Sequence, residues 1–162
     1  MTNKLYLYVG PKSILQSKIS CERIKVTKHN DIVAWSEEHT NSRITTFIID
    51  EHKNLWVGDR HCEHVACARG KAVFAAGEMT FSLDGAQVLF VTNQSTGYCP
   101  EPESWQVVDE VLAKTDMEYP DHFGCAFHFR RCTKCQQINI VKDNIYECAV
   151  CEIPLDTKWN FG

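Results

Sequence analysis

Residues 71–93, KAVFAAGEMTFSLDGAQVLFVTN, decide the architecture. Two runs rich in apolar and β-favouring residues flank Asp84-Gly85, and that pairing is the strongest hairpin signal in the chain. Upstream, ITTFIID (44–50) and NLWVGD (54–59) are two more strand-like runs. The polar Glu51-His52-Lys53 joins them, so they predict a second hairpin. ERIKVTK (22–28) reads as a short strand, and KLYLYVG (4–10) as another that ends at Gly10-Pro11.

Helical signals are fewer. HNDIVAWSEEH (29–39) sets Ile32, Val33 and Trp35 on adjacent turns. In WQVVDEVLAKT (105–115), Ser104 stands at the N-cap, and Trp105, Val108, Val111 and Leu112 share one face. DRHCEHVACARG (59–70) predicts a third helix, capped by Asp59, starting at Arg60 and closed by Gly70. The fold class is therefore α+β: an antiparallel β-rich N-terminal domain with two or three short helices, followed by a small C-terminal unit. DMEYPDHFG (116–124) reads as a linker, which places the domains at 1–119 and 120–162.

Composition narrows the function classes. With 44% hydrophobic and 23% charged residues, the 162-residue chain has the makings of a packed core, and disorder is excluded as its main state. A net charge of -4 lacks the basic footprint usual in nucleic-acid binders. No apolar run is long enough to span a membrane, and MTNKLYLYVGPKS is too polar for a secretory signal. The nine cysteines are therefore read for a reducing cytoplasm, where clusters are more often metal ligands or reactive thiols than disulfides. On that reading the isolated Cys21 and Cys125 are small buried hydrophobes. Arg130 and Arg131 are a solvated pair, and His128 lies on one face of a strand.

CTKCQQINIVKDNIYECAVC (132–151) is Cys-x2-Cys, twelve residues, Cys-x2-Cys. Each pair can form a knuckle that turns two thiolates toward one ion, and four thiolates suit tetrahedral zinc; iron is the other metal such a set takes. Between the pairs, INIV and NIYEC alternate as two strands about Lys142-Asp143-Asn144. Residues 128–155 thus resemble the zinc-ribbon superfamily. The resemblance implies one structural Zn²⁺ on Cys132, Cys135, Cys148 and Cys151, and a surface that contacts protein or nucleic acid. With four thiolate ligands, no coordination position is left open for chemistry.

Residues 59–100 carry the second signal. His61, Cys62 and Glu63 give the His-x-Glu of zinc deaminases, whose Glu shuttles the proton of a zinc-bound water. The partner Pro-Cys-x-x-Cys is missing, because Cys99 is followed by Pro100 and Glu101. The stretch from His61 to Pro100 is closer to a module of plant calmodulin-binding IQ-motif proteins and some bacterial proteins. The match rests on His61, Gly70, Ala75, Ala76, Gly77, Gly85, Ser95, Tyr98 and Pro100. Cys62 and Glu63 replace that module's two serines, and Thr96 and Gly97 replace its Gly-His.

Three functions follow. In the first, a zinc-binding cytoplasmic protein combines an N-terminal recognition pocket, with His64, Ser95, Thr96 and Tyr98 as ligand-binding candidates, and a structural ribbon that contacts a macromolecular partner. In the second, an enzyme acts on a nucleotide, nucleic acid or protein side chain, with His61 polarising and Glu63 or Glu78 as general acid/base. In the third, the chain is a nucleic-acid-binding regulator, which its charge disfavours. His61 and Glu78 can equally be members of a buried polar network.

Overall fold

The computed structural model describes residues 3–16, 21–38 and 43–161. The elements run α1 (Lys12–Gln16), β1 (Arg23–Val26), α2 (His29–Glu38), β2 (Ile44–Asp50), β3 (Leu55–Asp59), α3 (His64–Cys67), β4 (Val73–Phe81), β5 (Val88–Val91), α4 (Trp105–Leu112), β6 (His128–Arg131) and β7 (Ile138–Val141). His39, expected to end the second helix, lies outside the described residues. The class is α+β, as the patterning predicts. A five-stranded antiparallel sheet is ordered β1-β3-β2-β4-β5, and β6 and β7 form a separate two-stranded sheet.

Both faces of the large sheet are covered. Phe47 and Ile49 of β2, Leu55 and Val57 of β3, and Ala75, Met79 and Phe81 of β4 pack with Ile32 of α2 and Val107, Val108, Val111 and Leu112 of α4. On the other face, Ile48, Val73 and Ala76 pack with Val65, Cys67, Tyr6 and Tyr98. This explains why β2 reads as a continuous apolar run rather than an alternating one. It also means that exposure cannot set the register, because a one-residue slip exchanges one buried face for another. Buried hydroxyls set it instead. Thr45 Oγ1 donates to the Met79 carbonyl at 2.7 Å, and Thr46 Oγ1 donates to the Cys62 carbonyl at 3.2 Å. A slip would strand both hydroxyls, at about 1–3 kcal/mol each.

The β4–β5 hairpin forms, through a connection wider than a two-residue turn. Ser82 N–H donates to the Gln87 carbonyl at 2.9 Å, and Gly85 alone of the Asp84-Gly85 pair adopts a positive φ, 70°. The outer edge of β5 is covered by the chain after α4. Val88 N–H donates to Glu118 O at 2.7 Å, and Gly124 N–H donates to Val91 O at 2.9 Å. KLYLYVG is not a strand. Its one ladder contact is an isolated bridge between Tyr6 and Val73, with bonds of 2.7 and 3.0 Å, beside the part of β4 that β5 leaves unpaired.

Two glycines mark close approaches of different kinds. A Cβ at Gly77 would land on the carbonyl of Thr92, whereas one at Gly124 would meet the ring of Phe90, half of which faces solvent. Backbone cannot yield as an exposed ring can. Gly77→Ala is therefore expected to destabilise by about 3 kcal/mol and Gly124→Ala by about 1 kcal/mol, from the usual cost of overpacking. Urea midpoints of the two variants check the order, and equal shifts would contradict it.

Candidate metal centre

β6 and β7 pair antiparallel from His128↔Val141 to Arg131↔Ile138, and the first cysteine pair sits on the turn between them. This hairpin is not the one expected within 138–148, which contributes only a single bridge, Lys142↔Ile145. The two cysteine turns are built alike. Cys132 Sγ accepts N–H bonds from Lys134 and Cys135, and Cys148 Sγ accepts them from Val150 and Cys151, all at 3.4 Å. After the second cysteine of each pair, Gln136 and Glu152 adopt positive φ, 66° and 62°. Their N–H groups close back on the carbonyls of Cys132 and Cys148 at 3.0 and 2.9 Å. Asn139, buried on β7, joins the second turn to the hairpin by accepting from Ala149 N–H at 3.0 Å.

This geometry brings all four Sγ atoms within 4.8 Å of one another. Among the described residues, no other group of three or more His, Cys, Asp or Glu donors converges in this way. The Cys135–Cys148 sulfur separation is 3.7 Å, matching the edge of about 3.8 Å in a tetrahedron with metal–sulfur bonds of about 2.3 Å. The donated N–H of Cys151 leads in favouring the thiolate of Cys148, and its pKa falls to about 6. The neighbouring thiols Cys135 and Cys132 push Cys151 the other way, to about 12. All four sulfurs could ionise this close together only with a cation among them. The residues present fit a metal ion.

The four-cysteine unit is tied to the large sheet by buried polar groups. Asn93 donates to the carbonyls of Pro100 and Phe127 at 2.9 and 2.8 Å and accepts from Phe127 N–H at 2.7 Å. Arg130 is buried rather than solvated. It pairs with Glu101 at 2.8 Å and donates to the carbonyls of Phe129 and Thr157. Arg131 reaches back to Val9 O at 3.0 Å.

The pocket candidates are placed as follows. His61 is exposed on a turn, where its N–H donates to Asp59 Oδ1 at 2.8 Å. Asp59 thus caps a turn, and α3 begins only at His64. The helix does not start at Arg60 because Glu63 is extended, at φ -68° and ψ 139°, and stands at the N-cap. His64 turns its ring onto the sheet and donates Nε2–H to Gly77 O at 2.9 Å, since a carbonyl can only accept. Burial holds its pKa below the ordinary histidine value, with the Gly77 bond opposing.

Glu63 is exposed, and its charge acts on Tyr8, whose ring lies beside Gly97 and Tyr98. Glu78 is half-buried in register with Thr46. Ser95 is buried and accepts from Tyr98 N–H at 3.3 Å, while Thr96 is exposed. Tyr98 is fully buried and donates its hydroxyl to Lys71 O at 2.8 Å. Tyr8 donates its hydroxyl to Pro11 O at 2.7 Å, while His64 and Tyr98 are bonded to backbone. Burial pushes the thiols of Cys67 and Cys99 up to about 12.

Comparison with protein-family models, with characterised proteins and with solved structures gives no match for this chain. The disulfide is the feature that sequence reading missed. Cys21 and Cys62 are 41 residues apart, with Cα atoms 5.6 Å apart, across Gly58, where a Cβ would crowd both sulfurs. Nothing local signals it.

Two outcomes follow from these contacts. Closing a loop of 41 residues stabilises by up to about 4 kcal/mol in the chain-entropy account, so a Cys21→Ser/Cys62→Ser variant should lose stability on that scale. Urea unfolding measures it, and a loss under about 1 kcal/mol would mean that the unfolded chain is not constrained by the bond. The second concerns His64. Its folded pKa is depressed, so below about pH 6.5 the unfolded chain takes up a proton that the folded chain resists, and stability falls as pH drops. His64→Gln keeps a donor for Gly77 and should flatten that fall between pH 7.5 and 5.5. An unchanged slope would assign the dependence to another group.

Proposed function

We propose that this chain is a zinc-binding protein in which a closed four-thiolate site gives the C-terminal unit its shape, and that this unit contacts a macromolecular partner. The observation that carries the reading is the convergence of Cys132, Cys135, Cys148 and Cys151 within 4.8 Å on two matched, N–H-supported turns. Zinc is favoured over iron because it is the commoner occupant of such modules. Bound zinc would supply charge compensation and cross-linking rather than a reacting water, since the thiolates fill its coordination.

The unit buries only Cys132, Cys148 and Leu155 in its own cluster, with Val141, Tyr146, Cys151 and Ile153 packed around them. Such a core is too small to fold unaided, so the metal is the principal source of its order. Ile145 and Val150 stand 61% and 65% exposed on this unit, and they support a protein partner over a nucleic acid, as does the net charge of -4. The organisation into 1–119 and 120–162 belongs to the same proposal. The recognition pocket keeps Thr96 as its solvent-facing candidate, and the Cys21–Cys62 bond weighs against the cytoplasmic setting expected from the sequence. An enzyme reading using His61 and Glu63 or Glu78 gains no specific support, because these donors do not converge among the described residues.

Elemental analysis of untagged, chelator-washed protein tests this. The expected content is about one zinc per chain, lost in Cys148→Ser together with the dispersed NMR signals of residues 128–155, while the large sheet survives. A chain without zinc overturns the reading. Two ions per chain would mean a second site outside the converging donors of the described residues.

A further inference from the structure

We propose that Tyr6, Trp159 and the loop carrying Glu101 and Glu103 form a binding site for an alkylammonium cation, occupied in this structure by the chain's own Lys4. The Lys4 ammonium lies 3.2 Å from the centre of the Trp159 ring and 5.2 Å from that of Tyr6. The rings meet edge to face, 5.8 Å apart at 70°, and so make two walls of a corner. A compact cation gains from the negative face of the indole. Perpendicular walls suit a tetrahedral ammonium better than a planar guanidinium, which stacks on a single face.

The corner is held without help from Lys4. Trp159 Nε1–H donates to Cys99 O at 2.7 Å, the Tyr6 hydroxyl accepts from Glu101 N–H at 3.2 Å, and Phe161 packs on Trp159 at 5.4 Å. Two carboxylates, Glu101 and Glu103, act on the Lys4 charge. Glu101 is already paired with the buried Arg130 at 2.8 Å. Beside the corner lies a cavity of about 290 Å³, walled by Tyr6, Phe74 and Val107 and edged by Glu103, Ser104 and Gln106. That volume is close to the lower end of small-ligand sites and accommodates the carbon stem of an amine.

Lys4 is suited to be a displaceable occupant. It is exposed, as is Leu5 beside it, and among the described residues the segment is first pinned to the sheet at Tyr6, by its bridge to Val73. An incoming ammonium therefore competes with a tethered one, and affinity is reduced by the fraction of time that Lys4 fills the corner. The shared chemistry is alkylammonium, whether a lysine side chain of another protein or a free methylated amine.

The test uses Lys4→Met, which keeps an unbranched stem and removes the charge. The Trp159 indole N–H signal is followed by NMR while n-butylammonium or tetramethylammonium is added, with 3,3-dimethylbutan-1-ol as the uncharged control. The expected result is saturable binding by Lys4→Met, at least about ten-fold tighter than by the unaltered chain, with no response to the alcohol. Preference for butylammonium points to a lysine side chain, and preference for tetramethylammonium to a methylated amine. Glu103→Gln, an exposed change that leaves packing intact, should weaken binding several-fold in the Lys4→Met background. Equal responses from both chains, an equal response to the alcohol, or none to either cation would overturn the proposal.

Discussion

Where β4 passes the chain leaving β5, Gly77 lies against the Thr92 carbonyl with no space for a side chain. Much of the molecule is positioned by that approach. It lets Thr92 exchange bonds with Glu78, its N–H donating to Glu78 O at 2.9 Å and its hydroxyl accepting from Glu78 N–H at 3.1 Å. The next residue, Asn93, is thereby fixed at the point from which one side chain holds both Pro100 and Phe127. On the opposite side of Gly77, its carbonyl orients His64. A single missing Cβ therefore sets the separation between the sheet, the 95–99 loop and the start of the four-cysteine unit.

The joint between that unit and the sheet is polar and buried. The Arg130–Glu101 pair illustrates what such a joint contributes. Desolvating two charges cancels much of their attraction, so the pair adds little net stability, yet removing one partner costs about 3–5 kcal/mol. Its effect is positional: Glu101 ends the loop after β5, and Arg130 lies on β6. Together with Asn160, which bonds both the N–H and carbonyl of Arg131 at 2.8 and 2.7 Å, it fixes how β6 leaves the sheet. Apolar contacts alone would let that strand slide.

Legibility in the sequence followed the range of the interactions. The 44–59 and 73–91 hairpins and the two Cys-x2-Cys turns are local, and each announces itself within a few residues. The 105–112 helix is equally local in its periodicity, although Ser104 donates its hydroxyl to Glu101 O at 2.7 Å rather than capping α4 by its side chain. The helix expected from Arg60 begins instead at His64, because the chain is still extended at Glu63. The segment around Tyr6 alternates like a strand, but the sheet offers it a single place, beside Val73. Arg130 looked like a surface residue because its partner lies 29 positions away. Of the candidate pocket, the residue types were legible but their partners were not, since Gly77 O and Lys71 O leave no mark in the side-chain pattern.

Six of the nine cysteines are divided between two incompatible chemistries, with Cys67, Cys99 and Cys125 outside both. Cys21 and Cys62 must lose electrons and protons to join, whereas Cys132, Cys135, Cys148 and Cys151 are useful to a metal only while they remain unjoined. An oxidant able to close the first pair threatens the second set whenever its sulfurs are bare, and a bound ion masks them by occupying their lone pairs. Ion capture before cross-linking would therefore keep the two sets apart. Chains taken through those steps in the reverse order would carry mispaired sulfurs in the C-terminal unit while their large sheet stayed sound.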